Sequence, residues 1–103
     1  MTAWDVWTWN EHPAVIVSHT DRAARKPVVE VLACSTARAN RGPRPGEVML
    51  DSADGLDWET ICYCDLIYAV DRVQLSARRG HVTLERQRAI IVAVLQSHGW
   101  IGL

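Results

Sequence analysis

The pattern of apolar and polar positions along this chain predicts several short β-strands followed by one helix. The strand-like segments, which are rich in β-branched and aromatic residues, are 4–9, 14–18, 28–34, 47–50 and 61–71. Apolar residues then recur at helical spacing over 84–98, with Thr83 placed as the N-cap and Gly99 placed to end the helix. This order predicts a mostly β (β+α) fold, a small β-barrel flanked by a C-terminal helix.

The segment 61–71 is the longest strand-like run and is predicted to be the central strand, bent or bulged near its middle. Side chains alternate across a strand, which divides these residues into two sets. The set expected to face the core is Cys62, Cys64, Leu66, Tyr68 and Val70, and the set expected on the other face is Tyr63, Asp65, Ile67 and Asp71. The second face therefore places a carboxylate beside a phenol, which makes it a candidate for chemistry.

The predicted connections are short at first and then long. Residues 10–13 form a tight connection, and residues 19–26 are expected to contain a helical turn. The longest predicted loop, 35–46, contains Gly and Pro residues that argue against regular structure. Its arginines, Arg38, Arg41 and Arg44, are expected to project into solvent.

Length and composition predict one soluble domain, residues 1–103, with a single core. The five tryptophans are expected to be mainly core residues, although Trp also serves as a stacking surface. The net charge of −1 predicts no nucleic-acid partner. However, ten of the eleven cationic residues are Arg, which binds phosphate well. Two interpretations follow: a surface that binds RNA on one side and a protein on the other, or a solvated surface of mixed charge.

Cysteine usage and hydropathy indicate the compartment. The chain has three Cys, no apolar N-terminal run and no window long and apolar enough to span a membrane. We therefore expect a cytoplasmic protein with free thiols and no membrane contact. Because Cys-x-x-Cys pairs are absent from the sequence, we expect neither a metal site nor a cofactor.

A set of short motifs occurs in an order that is informative as a whole. In chain order the motifs are Trp4-Asp5-Val6-Trp7, His12-Pro13-Ala14-Val15-Ile16-Val17-Ser18, Val31-Leu32-Ala33-Cys34-Ser35-Thr36, Glu47-Val48-Met49-Leu50, Gly55-Leu56-Asp57, Cys64-Asp65-Leu66-Ile67-Tyr68-Ala69-Val70-Asp71 and Gly80-His81-Val82-Thr83. Over nearly the full length they resemble the PemK/MazF-like toxins of bacterial toxin–antitoxin systems. The resemblance implies an SH3-like barrel that forms a homodimer. It also implies a metal-independent endoribonuclease that cuts single-stranded RNA at short sequences and is silenced by a cognate antitoxin.

The positions that carry the family's chemistry differ in this sequence. Asp65 matches the family's Asp, but Tyr63 stands where the family has an Arg on the same strand. His12 replaces the Arg that precedes the Pro of the second strand, and Ser35 or Thr36 aligns with the family's Thr. The long Gly-rich loop that covers RNA in the family is shortened to residues 10–12.

Two interpretations of these differences remain open. In the first, the site is rebuilt, with His12 as general base or acid and Asp65 orienting it or acting as its partner. Ser35 or Thr36, with an arginine of the 38–44 loop, would hold the phosphate. The residues expected to bind RNA in that case are Thr36, Arg38, Arg41, Arg44 and Tyr63. In the second, loss of the cationic clamp leaves a degenerate domain that binds nucleic acid or a protein without cleaving. A third hypothesis is a barrel interaction module with no role in RNA metabolism.

Overall fold

Six antiparallel strands form one sheet in the order β4-β5-β3-β2-β1-β6. The computed structural model describes residues 1–36 and 42–101. The strands are β1 (Asp5–Trp9), β2 (His12–Ile16), β3 (Val28–Thr36), β4 (Glu47–Leu50), β5 (Thr60–Asp71) and β6 (Leu75–His81), and the helices are α1 (Thr20–Arg25) and α2 (Leu84–Ser97). Single 3₁₀ turns occupy Ser52–Asp54 and Arg72–Gln74. The mostly β fold with a C-terminal helix is confirmed, and within the described residues the barrel-like sheet stays open between β4 and β6.

The connection between β1 and β2 is tighter than the sequence pattern indicates. Asn10 and Glu11 have φ values of 50° and 68°, so only these two residues make the turn. Two successive residues with positive φ match the twist of a two-residue hairpin. β2 consequently begins at His12, which pairs with Trp9, rather than at Ala14 as predicted. His12 is therefore a strand residue and not part of the turn.

β5 is bent, as predicted, but the bend changes which residues share a face. Along β3 the pairing moves by two residues, from Leu32 to Cys34, while along β5 it moves by five, from Ile67 to Cys62. Three extra residues in β5 reverse the alternation of side chains beyond the bend. The single core face predicted for Cys62, Cys64, Leu66, Tyr68 and Val70 is therefore wrong. Leu66 and Tyr68 are 50% and 37% exposed.

Each face of the sheet carries its own core. The α2 face is defined by the buried residues Val6, Val15, Leu32, Cys34, Val48, Leu50, Leu56, Cys62, Cys64, Val82, Ile90 and Ala93. The opposite face, here called the α1 face, is defined by Ala14, Ile16, Ala23, Val29, Val31, Val70 and Leu75. Fully burying one such aliphatic side chain contributes about 1.5–3 kcal/mol. These two cores hold the sheet rigid beneath any surface site.

A buried ion pair ties α2 to the turn that precedes β5. The Arg86 guanidinium contacts the carboxylates of Asp54, at 2.7 Å, and Asp51, at 2.6 Å. The Asp54 side chain is fully buried and also accepts hydrogen bonds from the backbone N–H groups of Thr83 and Asp51. Because every partner is fixed, the segment that follows Asp54 starts from a defined position.

Tryptophan placement agrees in part with the expected core role, because Trp4 packs against the α2-face core and Trp7 and Trp9 pack against the α1-face core. Trp58 and Trp100 are 69% and 65% exposed, while Trp4, Trp7 and Trp9 are half-buried. The Trp100 ring stacks on His98, with centroids 4.8 Å apart, instead of entering the core.

The Thr83 Oγ1 caps α2 by accepting a hydrogen bond from the Arg86 N–H, which confirms the predicted N-cap.

The three thiols are free and buried in the α2-face core, as expected for reduced cysteines. The pKa of Cys62 is raised by its hydrogen bond with Cys34 and by burial, and the pKa of Cys64 is raised by its hydrogen bond with Cys62 and by burial. A thiol with a raised pKa stays protonated and is a poor nucleophile.

Residues 1–36 and 42–101 contain no cluster of three or more His, Cys, Asp or Glu that could hold a metal ion. Within the same ranges, no helix is long and apolar enough to cross a membrane.

Candidate functional site

Two hydroxyl groups from neighbouring strands meet on the α1 face. Ser35 near the end of β3 pairs with Ile61 of β5, and Tyr63 lies two residues further along β5. Ser35 and Tyr63 therefore project from the same face, as diagonal neighbours. Their oxygens, Ser35 Oγ and Tyr63 Oη, are 2.7 Å apart, and both residues are half-buried. This pair offers two hydroxyls at fixed positions to a polar ligand.

His12 belongs to the same end of this face. β2 pairs with β3 through Ala14 and Ala33, and continuing that register by two residues sets His12 opposite Ser35. Because residues two apart on a strand share a face, His12 and Ser35 both point to the α1 face. His12 is exposed, so its imidazole is accessible to a ligand.

An aromatic pair lies on the α1 face as well. The rings of Trp9 and Tyr68 have centroids 5.1 Å apart, with an interplanar angle of 57°. Trp9 is the strand partner of His12, and Tyr68 reaches this face only because the bend in β5 reverses the alternation. Sequence reasoning missed both residues, since a strand without a bend would bury Tyr68 with Cys62. Aromatic rings on such a face are surfaces on which nucleobases can stack.

Asp65 lies within the bend of β5 and is exposed. The observed polar partner of Tyr63 is Ser35 rather than Asp65. Among residues 1–36 and 42–101, no hydrogen bond or ion pair joins the Asp65 carboxylate to another side chain. The Asp65 carboxylate is therefore accessible to solvent, and the bend in β5 sets the direction in which it projects.

Thr36 projects from the opposite face to Ser35. It lines a cavity of about 390 Å³ at the end of the sheet, together with Thr8, Pro13, Gly55, Leu56, Asp57, Trp58, Thr60, Ala77 and Arg79, and we call this cavity the edge pocket. The Arg79 guanidinium enters it from β6 and is held by Thr8 Oγ1, 2.8 Å from Nε, and by the Glu11 carbonyl oxygen, 3.1 Å from Nη2. No motif in the sequence singles out Arg79.

The loop arginines are only partly located. Arg38 and Arg41 lie outside the described residues. Arg44 is exposed, its backbone N–H donates to the Glu47 carboxylate, and it lines a groove against α2 with Arg88. Arg44 thus lies near Glu47, the strand partner of Tyr63, and lines the groove on the α2 side. Within the described parts of the chain, no cationic side chain hydrogen-bonds either hydroxyl of that pair.

A carboxylate at the start of β1 is strongly anchored. Asp5 Oδ1 lies 2.9 Å from His81 Nδ1 and 3.3 Å from Arg78 Nε, and Asp5 Oδ2 accepts from the Thr2 N–H. Burial alone raises the pKa of Asp5, but the hydrogen bonds from His81, Thr2 and Trp7 and the charge of Arg78 outweigh it, lowering the pKa to about 2. These contacts join β1 to β6, so the cluster holds the sheet together.

The fold and the surface on the α1 face define a small β protein with a candidate polar site at one end of its sheet. Residues 8–98 match the family described as PemK-like, MazF-like toxin of type II toxin–antitoxin system, and the chain belongs to that family. No curated protein is significantly similar to the chain in sequence.

Solved structures show the same fold at low sequence identity. An endoribonuclease in complex with its cognate antitoxin, from a mycobacterial species, is 20% identical, with a TM-score of 0.84 over 100% of this chain and 99% of that chain. The MazE–MazF complex from Deinococcus radiodurans is 17% identical, with a TM-score of 0.80 over 98% of each chain. The Mycobacterium tuberculosis toxin MazF-mt6 is 17% identical, with a TM-score of 0.77 over 92% and 94% of the two chains.

Proposed function

We propose that this chain is a toxin that cleaves single-stranded RNA without a metal ion. The observation that carries the proposal is the Ser35–Tyr63 hydroxyl pair, whose oxygens are 2.7 Å apart on the face that also carries His12. Membership of the toxin family supports it, and so do the structural neighbours, which include endoribonucleases.

The proposed reaction begins with attack of a 2′-hydroxyl on the neighbouring phosphorus. His12 takes the proton of that hydroxyl or returns a proton to the 5′-oxygen as it leaves, since an imidazole serves either role near neutral pH. Because one of the Ser35 and Tyr63 hydroxyls donates to the other, the pair has one hydroxyl proton left, which donates a hydrogen bond to a non-bridging phosphate oxygen, where negative charge builds up. The products are a 2′,3′-cyclic phosphate and a 5′-hydroxyl.

Asp65 is proposed as the second proton-transfer group. Its carboxylate is exposed, and among the described residues it has no ion-pair partner that would hold it away from a ligand. It acts on the RNA directly rather than by orienting His12, because no hydrogen bond joins the two side chains within the described ranges. The RNA-binding roles proposed for Thr36, Arg38, Arg41 and Arg44 complete the assignment.

A second candidate function has one specific observation in its favour. His12 stands where the resemblance implies an arginine, and no cation from the described residues hydrogen-bonds Ser35 or Tyr63. Loss of one hydrogen-bond donor to the charge that develops in a transition state typically costs about 2.7–4 kcal/mol. A catalytically degenerate domain that binds nucleic acid or a protein without cleaving would have this site.

The proposed partners follow from the family. One neighbouring structure is an endoribonuclease in complex with its cognate antitoxin and another is MazE–MazF, and we propose an antitoxin for this chain as well. We also propose a homodimer, a single domain and a cytoplasmic location, where single-stranded RNA is available.

Incubation of the purified protein with a long single-stranded RNA in EDTA tests the proposal. Discrete fragments that end in 2′,3′-cyclic phosphate are expected from the wild type. The rate should fall by about 10²–10⁴ in His12→Ala, and Ser35→Ala and Asp65→Ala should also be slower. His19→Ala, which removes an exposed histidine beyond the opposite end of β2 from His12, is the control and should cleave normally. Intact RNA with a folded wild-type protein would favour the degenerate domain.

A further inference from the structure

We propose that the edge pocket binds one nucleotide unit of single-stranded RNA, with Arg79 on its phosphate and Trp58 stacked on its base. The inference rests on the proposed function for the identity of the ligand, but it concerns the face of the sheet opposite Ser35 and His12. The pocket has a volume of about 390 Å³ and opens at the end of β3, where Ser35 and Thr36 point to opposite faces.

Arg79 is positioned as a phosphate ligand. Its Nε–H donates to Thr8 Oγ1 and one Nη2–H donates to the Glu11 carbonyl oxygen, so two of the five guanidinium donors are used. Among the described residues, no carboxylate forms an ion pair with Arg79. An exposed guanidinium fixed by neutral acceptors keeps its charge and its remaining donors for an anion.

The backbone around Arg79 is irregular at this point. The pairing of β1 with β6 shifts register between Val6 and Thr8, which places extra residues in β6 opposite β1. Within that bulge Ala77 has a φ of 36°, a conformation that is unfavourable for a residue with a Cβ. Bulges of this kind redirect side chains, and strained backbone clusters at functional sites. Here the bulge sends Arg79 into the pocket that Ala77 also lines.

The opposite wall is held close to Arg79 by a glycine contact. A Cβ added to Gly80 would lie 2.0 Å from the Asp54 carbonyl oxygen, so the turn after Asp54 packs directly on β6. The carbonyl of Trp58 accepts a hydrogen bond from Thr60 Oγ1 at 2.9 Å, which fixes the backbone at Trp58. The Trp58 side chain is nevertheless 69% exposed, so its backbone is fixed while its ring is accessible to a base.

These groups together fit a nucleotide better than an isolated phosphate. The pocket holds one cation, Arg79, and one exposed carboxylate, Asp57, so its charges balance and a free phosphate gains little. A base stacked on Trp58 adds the missing attraction, and Asp57 can accept from the amino or imino groups of that base. The hydroxyl of Thr36 is available for the ribose or phosphate oxygens.

Binding of a non-cleavable probe tests the pocket separately from cleavage. The probe is a labelled random-sequence 2′-O-methyl RNA 12-mer, and fluorescence anisotropy gives its Kd for the full chain. Trp58→Leu should weaken binding about tenfold, within the range known for stacked bases. Trp100→Leu removes a tryptophan of similar exposure at the other end of the molecule and should bind normally.

Salt dependence identifies the role of Arg79. Arg79→Gln should weaken binding and reduce the slope of log K against log salt concentration by about 0.7, the value for one phosphate contact on a single strand. Arg79→Lys should restore the slope, and Trp58→Leu should leave it unchanged. Arg25→Gln, at an exposed arginine of α1, is the control for general charge.

The outcomes separate this proposal from the proposed function. Weaker binding by Trp58→Leu together with the changed slope of Arg79→Gln supports the pocket, whether or not the wild type cleaves RNA. Wild-type cleavage with binding unaffected by either substitution overturns the pocket and leaves the proposed function standing. A wild type that does not bind the probe overturns the pocket. Variants that lose only antitoxin binding overturn it too, because the pocket would then be a protein-docking site.

Discussion

Replacement of Arg86 by Leu should destabilise the protein more than any other single change at an arginine on α2. The guanidinium is the only cation that contacts the buried Asp54 carboxylate among the described residues, at 2.7 Å. Removal of Arg86 leaves that carboxylate fully buried without a counter-charge. Breaking a buried ion pair by removing one partner costs about 3–5 kcal/mol.

The local hydrogen bonds place the expected loss at the lower end of that range. Asp54 keeps two backbone donors, the N–H groups of Thr83 at 2.9 Å and Asp51 at 3.0 Å. Asp51 is partly exposed, so its own contact with Arg86 adds little. We therefore expect a loss of about 3 kcal/mol, which lowers the melting midpoint by about 10–20 °C for a chain of this length.

Urea unfolding at neutral pH, followed by far-UV circular dichroism, measures this free energy. Arg88→Leu, two residues along α2 at an exposed position, is the matched control and should change it by less than about 0.5 kcal/mol. Asp54→Asn combined with Arg86→Leu should recover part of the loss, because the buried charge is gone. A loss below about 1 kcal/mol in Arg86→Leu would refute the reasoning.

Three further predictions follow from other parts of the structure. The pKa of Asp5 is about 2 in the folded protein and about 3.9 in the unfolded chain, so its ionised carboxylate adds about 2 kcal/mol to the free energy of unfolding above pH 4. This stabilisation is lost as the pH falls to 2, and the free energy of unfolding of Asp5→Asn should therefore depend less on pH in this range. Gly80→Ala should cost about 1–3 kcal/mol by urea unfolding, whereas Gly42→Ala, with open space around it, should cost little. Tyr63→Phe should slow RNA cleavage and leave the melting midpoint within a few degrees, and equal cleavage would remove Tyr63 from the site.

The hydrophobic pattern predicted most of the fold because each strand has enough local signal. The span of β4 was predicted to the residue, and α2 was predicted with its N-cap at Thr83. The segment that forms β6 carries no such signal. Its polar residues are mostly exposed, and only Leu75 is buried, so pairing with β1 and not periodicity makes it a strand.

The candidate site was harder to predict because it depends on long-range register. Tyr68 reaches Trp9 because β5 has three more residues than β3 across the bend. The local sequence around Tyr68 does not show how β5 pairs with β3. The same applies to Arg79, whose direction is set by a bulge against β1. The likeness to a family pointed to Ser35 and His12, but only the coordinates showed that Ser35 contacts Tyr63 and that Thr36 faces away.

The most direct test of the central claim is the pH dependence of RNA cleavage in EDTA by the wild type and by His12→Arg. If His12 transfers a proton, the wild-type rate should show a pH-dependent limb that the imidazole contributes. His12→Arg should lose that limb while remaining folded. The same limb in both proteins, or no cleavage by a folded wild type at any pH, would contradict a nuclease that uses His12.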